Sequence, residues 1–175
     1  MHPSIEAMWQ EFRSLDAKAG YPAEPVSHWH FCDNQQDADE CVLLVLAGRK
    51  RATAPSLWSF ESHDEPLPRA GDLHVVTDWA GEARCIIRIT AVEVVPLDEI
   101  GEEHAQAEGE GDGSLSWWLD AHRAYYRREL EGSGQQFQPD MPVVFEWFEC
   151  VYPAPHAASI RSAAARSPDT LKSNR

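Results

Sequence analysis

The sequence predicts an α+β fold in which a strongly curved sheet or small β-barrel carries flanking helices. Three observations support this expectation. Apolar residues recur at helical spacing around Ile5–Leu15, Ala38–Leu46 and Leu115–Leu130. Two β-rich runs, Ala83–Val95 and Pro142–Tyr152, place apolar side chains on both faces, as strands of a curved sheet covered on both sides do. Glycine, proline and Asn/Asp residues punctuate the chain between these runs.

The elements follow in order. Ile5, Met8, Trp9, Phe12 and Leu15 form one stripe of a first helix, with Ser4 placed as N-cap. Gly20, Pro22 and Pro25 stop it, so residues 1–26 read as an N-terminal helix and linker. Ser27–Cys32 alternates, with Trp29 and Phe31 opposite His28, His30 and Cys32, as an extended segment does. Asp33-Asn34 then caps a second helix that runs to about Ala47, and Gly48 stops it. Ser56–Phe60 reads as a short helical or turn segment before the breaker Pro66-Leu67-Pro68.

Gly71-Asp72 opens a strand, Leu73–Asp78, which Ala80-Gly81-Glu82 turns into Ala83–Val95, a hairpin. Leu97–Ala107 is expected to be helical, and Asp112-Gly113-Ser114 leads into a third clear helix, Leu115–Leu130. Pro142–Tyr152 is the last strand. Residues 153–175 are rich in alanine, serine, proline and arginine and lack aromatics, which predicts a flexible C-terminal tail.

A chain of 175 residues is long enough for one domain with a full core. No apolar run approaches the ~20 residues that a membrane helix requires, and Met1-His2-Pro3-Ser4 lacks the basic-then-apolar plan of a signal peptide. A cytoplasmic protein with no membrane partner is the expectation. Cys32, Cys41, Cys85 and Cys150 are widely spaced in apolar surroundings, which predicts reduced core thiols. The formal net charge of -14 excludes broad, sequence-independent binding to duplex DNA, which draws on many basic contacts to phosphate. Any polyanion must use a small patch, such as Gly48–Arg51 or the Arg123, Arg127 and Arg128 face.

Lys50 is the only lysine between Lys18 and Lys172, and Thr53 follows three residues later. In a partly desolvated pocket such a lysine can act as a base toward the hydroxyl, or stay charged and stabilise an oxyanion or phosphate. A solvated basic loop after a helix is the plain alternative. Arg49 and Arg51, flanking it, are candidate substrate contacts. The acidic loop Glu108-Gly109-Glu110-Gly111-Asp112 can supply a catalytic carboxylate, hold a divalent cation such as Mg or Mn through Glu110 and Asp112, or be a solvated turn. His28, His30 and Cys32 make one corner of a zinc site and the sequence has no second. His122 faces the apolar side of its helix, while Trp117 and Tyr125 are candidates to stack a base.

Together these segments bring a known family into view. Leu43–Ala54, with Gly48, Lys50 and Thr53, resembles the GxKxxT signature of the ASCH domain, a family with a PUA-like β-barrel fold. Trp29-x-Phe31, Gly71-Asp72, the EGEGD loop, Trp118-x-x-x-His122 and Val143-Val144-Phe145-Glu146-x-Phe148 fit its longer bacterial subgroup in order, over residues 27–152. The resemblance implies work on RNA or nucleosides. Some members are metal-dependent ribonucleases on single-stranded RNA, and a shorter member removes the acyl group of N4-acetylcytidine with a lysine, a threonine and a glutamate. Lys50, Thr53 and Glu108 occupy those places.

Three functions follow as expectations: first a hydrolase on single-stranded RNA, then an amidohydrolase on a modified nucleoside such as N4-acylcytidine, then a non-catalytic RNA-binding module. Pro55 after Thr53-Ala54, and Cys32 where the subgroup often has glycine, depart from the family pattern.

Overall fold

The computed structural model describes residues 2–153. In chain order its elements are α1 (Pro3–Leu15), β1 (Ser27–Trp29), α2 (Gln35–Leu46), β2 (Ala52–Thr53), α3 (Leu57–His63), β3 (Leu73–Thr77), β4 (Ala83–Pro96), α4 (Glu102–Glu108), α5 (Leu115–Glu129) and β5 (Pro142–Tyr152). The strands form one sheet in the order β1-β3-β4-β5-β2. The expected tail lies outside the described residues, apart from Pro153.

The spine of the sheet is the long antiparallel pair β4 and β5, in register from Ile86 opposite Tyr152 to Pro96 opposite Pro142. Register shifts at Ile86/Ile87 and Ile89/Ala91 bend this pair, because an extra residue on one strand kinks it and increases its twist. β3 pairs antiparallel with β4, β1 runs parallel to β3, and β2 pairs antiparallel with β5.

The α+β class is as expected, but the sheet is open and the small barrel is not closed. The physical reason is the length of the edges. β1 has three residues and β2 two, too few to offer each other a ladder.

Helices cover both faces. α1 buries Ile5, Trp9 and Phe12 against Leu73, Val75, Ala83 and Ile86. Its cap is His2, whose ring accepts from the Ser4 amide, and not Ser4, whose hydroxyl accepts a 2.8 Å bond from the Ala83 amide and ties the helix to β4. α2 is capped by Asn34, as expected, and packs Cys41, Val42 and Val45 against Val76, Cys85, Ile87, Ile89 and Phe148. Across the sheet, Ala105, Trp118, Tyr126, Val143 and Phe145 build a third cluster under α4 and α5.

The helix expected over Leu97–Ala107 is split. Leu97–Glu99 is a single 3-10 turn, Ile100 and Gly101 are extended, and α4 starts only at Glu102. The His104 ring accepts the Gly101 amide at 3.0 Å, satisfying one of the free donors at the new helix start.

Candidate active site

Lys50 reaches its place through a backbone switch at the end of α2. Gly48 takes a positive φ of 72°, and the amides of Arg49 and Lys50 both turn back to the Leu44 carbonyl. Arg51 is then clamped on both sides: its amide donates to the Ala107 carbonyl at 2.7 Å, and its carbonyl accepts from the Phe148 amide at 2.8 Å. Residues 52 and 53 therefore join β5 as β2, with Ala52 opposite Trp147 and Thr53 opposite Glu146.

The acidic loop meets this segment because of two glycines. Gly109 ends α4 in the left-handed region, and a Cβ there would lie 2.6 Å from the Arg49 carbonyl oxygen. Gly111, at φ 53°, presses against the Trp117 ring so closely that a Cβ would collide with it. The glycines thus permit a tight approach that no L side chain fits.

Lys50 is 2% exposed and its Nζ donates to Glu108 Oε2 at 2.6 Å and to Glu110 Oε1 at 2.5 Å. The same nitrogen lies 5.0 Å from the centre of the Phe31 ring. Glu108 is 1% exposed, and its other oxygen, Oε1, accepts from Trp118 Nε1 at 2.9 Å. His122 stacks on Trp118 with ring centres 3.7 Å apart. Its Nδ1 donates to the Trp118 carbonyl at 3.0 Å, which leaves Nε2 facing Glu108 Oε1 at 3.4 Å. Cys41, expected only as a core thiol, also donates through Sγ to Glu110 Oε1 at 3.2 Å.

Two opposing effects set the charges. Burial alone would pull the Lys50 pKa down, but the adjacent Glu108 and Glu110 carboxylates outweigh it and hold the ammonium well above the ordinary lysine range. Burial likewise pushes Glu108 up, and the charges of Lys50 and His122 overcome it and bring it down to about 2. Burial and the bond to Cys32 raise the Cys41 thiol, so it stays a donor.

These groups line a cavity of about 840 Å³. Lys50, Thr53, Glu108, Glu110, Trp117, His122 and Tyr125 all reach it, which brings together seven of the ten residues singled out in the sequence. Thr53 shares the wall with Lys50, yet Lys50 Nζ bonds to the two carboxylates and not to the Thr53 hydroxyl.

Arg49, Arg51 and Asp112 are not in the wall. Arg49 is exposed and spends one guanidinium nitrogen on the Gly109 carbonyl at 3.1 Å, tethering the acidic loop. Asp112 accepts the Ser114 amide at 2.9 Å, outside the cavity. Glu110 and Asp112 therefore do not make a pair for a divalent cation, and among the described residues no cluster of three or more His, Cys, Asp or Glu is arranged to hold a metal ion.

Glu146 is a wall residue that the sequence did not nominate as part of the site. It is 5% exposed on β5, and its pKa is pushed up to about 8 by burial and by the Glu108 charge. The available signal was an acid at an inward position of an apolar strand. His74, buried on β3 in the cavity wall, bonds Ser27 through Nδ1 at 2.7 Å, and its Nε2 has no partner among the described residues.

An open, bent mixed sheet with helices on both faces, and a cavity whose wall runs from β1 and β3 to β2 and β5, is the plan of a PUA-like domain, an RNA-binding class of fold. Residues 27–152 match the family model of the ASCH domain, and the chain belongs to that family. It is similar to the crystal structure of an ASCH domain from Lactobacillus crispatus, with 34% identity and a TM-score of 0.79 over 86% of this chain and 95% of that one. A crystal structure of a protein from Enterococcus faecalis is similar at 33% identity and a TM-score of 0.78, over 86% and 90% of the two chains. No curated protein matches the chain. Among the described residues, no helix is long and apolar enough to cross a membrane.

Proposed function

We propose that the cavity is the active site of a nucleoside amidohydrolase, taking an uncharged N4-acylated cytidine and releasing the acyl group. One observation carries this reading: eight Asp and Glu side chains line the cavity against two basic ones, Lys50 and Arg128. Arg128 is already held by Asp33 through bonds of 2.7 and 3.0 Å. A phosphodiester entering such a wall meets net repulsion, whereas a neutral nucleoside does not.

The ion pairs of Lys50 support one role over the other. An ammonium fixed between two carboxylates is a poor acceptor for the Thr53 proton and a good partner for an oxyanion. In the proposed reaction the Thr53 oxygen bonds to the acyl carbon and its proton passes to Glu110. The C–N bond then breaks as N4 takes that proton from Glu110, and water cleaves the acyl-threonine, its O–H restoring the Thr53 hydroxyl and its oxygen leaving in the carboxylic acid. Glu108, held by Trp118, keeps Lys50 in place.

Hydrolysis of single-stranded RNA remains a second reading, favoured by the family's RNA-binding fold and by Trp117, which is 39% exposed beside the cavity and offers a face for a base. Both are tested in one experiment. Acetate release from N4-acetylcytidine and cleavage of a single-stranded oligoribonucleotide are measured on the wild type, Lys50→Ala and Thr53→Ala. The amidohydrolase reading expects acetate release that falls by about 10³-fold in each variant. RNA cleavage that depends on Lys50, with no acetate released, would replace it with the ribonuclease.

A further inference from the structure

Glu146 stands in the most apolar stretch of β5, between the buried Phe145 and the half-buried Trp147, with Val144 and Phe148 on its own face. Among the described residues its carboxyl has no hydrogen bond and no ion pair, although it lines the cavity. The one buried cation nearby is committed, since Lys50 is bonded to Glu108 and Glu110. A largely buried acid whose carboxyl opens on the cavity and has no protein partner is free to pair with a ligand.

We propose that Glu146 is the specificity-determining contact of this cavity, its carboxyl edge pairing with an adjacent acceptor and donor on the ligand, the pattern that N3 and N4–H present on a cytosine ring. The assignment rests on the nucleoside reading given above and adds which edge of the base is read.

The geometry places this contact beside the chemistry. Thr53 and Glu146 are directly opposite in the β2–β5 pair and both reach the cavity, and opposed residues of this kind hold their Cβ atoms about 5 Å apart. A base held on Glu146 through N4–H therefore brings the group on N4 next to the Thr53 hydroxyl. Acylation of N4 leaves one N–H, so substrate and product share the contact.

The protonation state suits the pattern. With its carboxyl pushed up to about 8, Glu146 carries its proton near neutral pH and offers an O–H donor beside a C=O acceptor. An ionised carboxylate would instead set a lone pair against N3. The other titratable groups of the cavity wall are Lys50 ahead of β2, Glu108 and Glu110 at the end of α4, His122, Tyr125 and Arg128 on α5, Asp37, Glu40 and Cys41 on α2, Cys32 and Asp33 before it, His28 and His30 at β1, Asp72 and His74 at β3, and Glu65 after α3. Of these only Glu108 acts on it by charge. Tyr125 and Cys41 are raised and His74 lowered, which moves all three away from the interval around pH 8.

Glutamine keeps a donor and an acceptor side by side without titrating, so it separates recognition from acidity. Cytidine, the product of the proposed reaction and so not turned over, is the probe for calorimetry on wild type, Glu146→Gln and Glu146→Ala at about pH 6.5 and about pH 9.5. The expected result is wild-type affinity that drops about tenfold at the higher pH, Glu146→Gln affinity within about threefold at both, and Glu146→Ala affinity about tenfold lower throughout. Cytidine bound equally well by wild type and Glu146→Ala, or a pH limb that persists in Glu146→Gln, overturns the role of Glu146 alone. Failure of wild type and Glu146→Gln alike to bind cytidine overturns the nucleoside reading and this assignment with it.

Discussion

Trp118 Nε1 donates a 2.9 Å hydrogen bond to Glu108 Oε1, the oxygen opposite the one that meets Lys50. The indole thus fixes the rotation of a carboxylate that is 1% exposed and leaves its second oxygen aimed at the ammonium. Trp118→Phe deletes the donor and also part of the buried bicycle. It should cost at least about 1.5–3 kcal/mol, the range for a hydrogen bond to a charged buried group alone, read as a lower urea midpoint at an unchanged m-value.

Removing the cation should be harsher than removing the pair. Lys50→Met leaves the buried Glu108 and the largely buried Glu110 side by side without their cation and is expected to cost about 3–5 kcal/mol. Lys50→Met combined with Glu108→Gln should recover a large part of that loss. Chemical denaturation of the four members of this cycle measures the coupling, and additive losses would contradict it.

Two carboxyls in the same cavity should give stability slopes of opposite sign with pH. Glu108 falls from 4.5 to about 2 on folding, so its contribution is complete above the unfolded value and drains away as pH drops toward 2; the gap is worth about 3 kcal/mol. Glu146 moves from 4.5 up to about 8, so stability is complete below pH 4.5 and declines as pH rises through 8. Urea midpoints across this range should show the acid limb flattened in Glu108→Gln and the alkaline limb flattened in Glu146→Gln.

The glycines of the acidic loop should differ sharply in tolerance. A Cβ on Gly111 runs into the Trp117 ring, whereas one on Gly113 meets nothing within 4 Å, and both residues have positive φ. Gly113→Ala should lose only the conformational cost of about 1 kcal/mol. Gly111→Ala should lose more than about 2 kcal/mol and displace Trp117, visible as a shift in tryptophan emission.

Much of this architecture could be read from the residues, because periodicity marks every long element. The stripe from Ile5 to Leu15 and the alternation from Pro142 to Tyr152 correspond to α1 and β5 with little error. β2 left no local trace, since two residues have no period and their pairing depends on partners far along the chain, Trp147 for Ala52 and Glu146 for Thr53. The break at Ile100 and Gly101 was hidden by apolar spacing that suits either a continuous helix or two short pieces. In the site, Lys50, Thr53 and Glu108 were legible as a spaced set. Arg49, Arg51 and Asp112 were not separable from them, because adjacency in sequence does not say which way a side chain points. Glu146 was visible only as an oddity, an acid on an inward face.

The brevity of β1 and β2 has a consequence for life in a crowded solution. A bent sheet built on the Ile- and Val-rich β4 is a template on which other chains can add strands, and the danger lies at its borders. Here both borders are nearly used up, with three and two residues of ladder, and the richest segments are locked in the middle of the order. A protein whose sheet had closed would have had no borders at all. This one stays open where its cavity needs room and keeps what remains too short to recruit a neighbour.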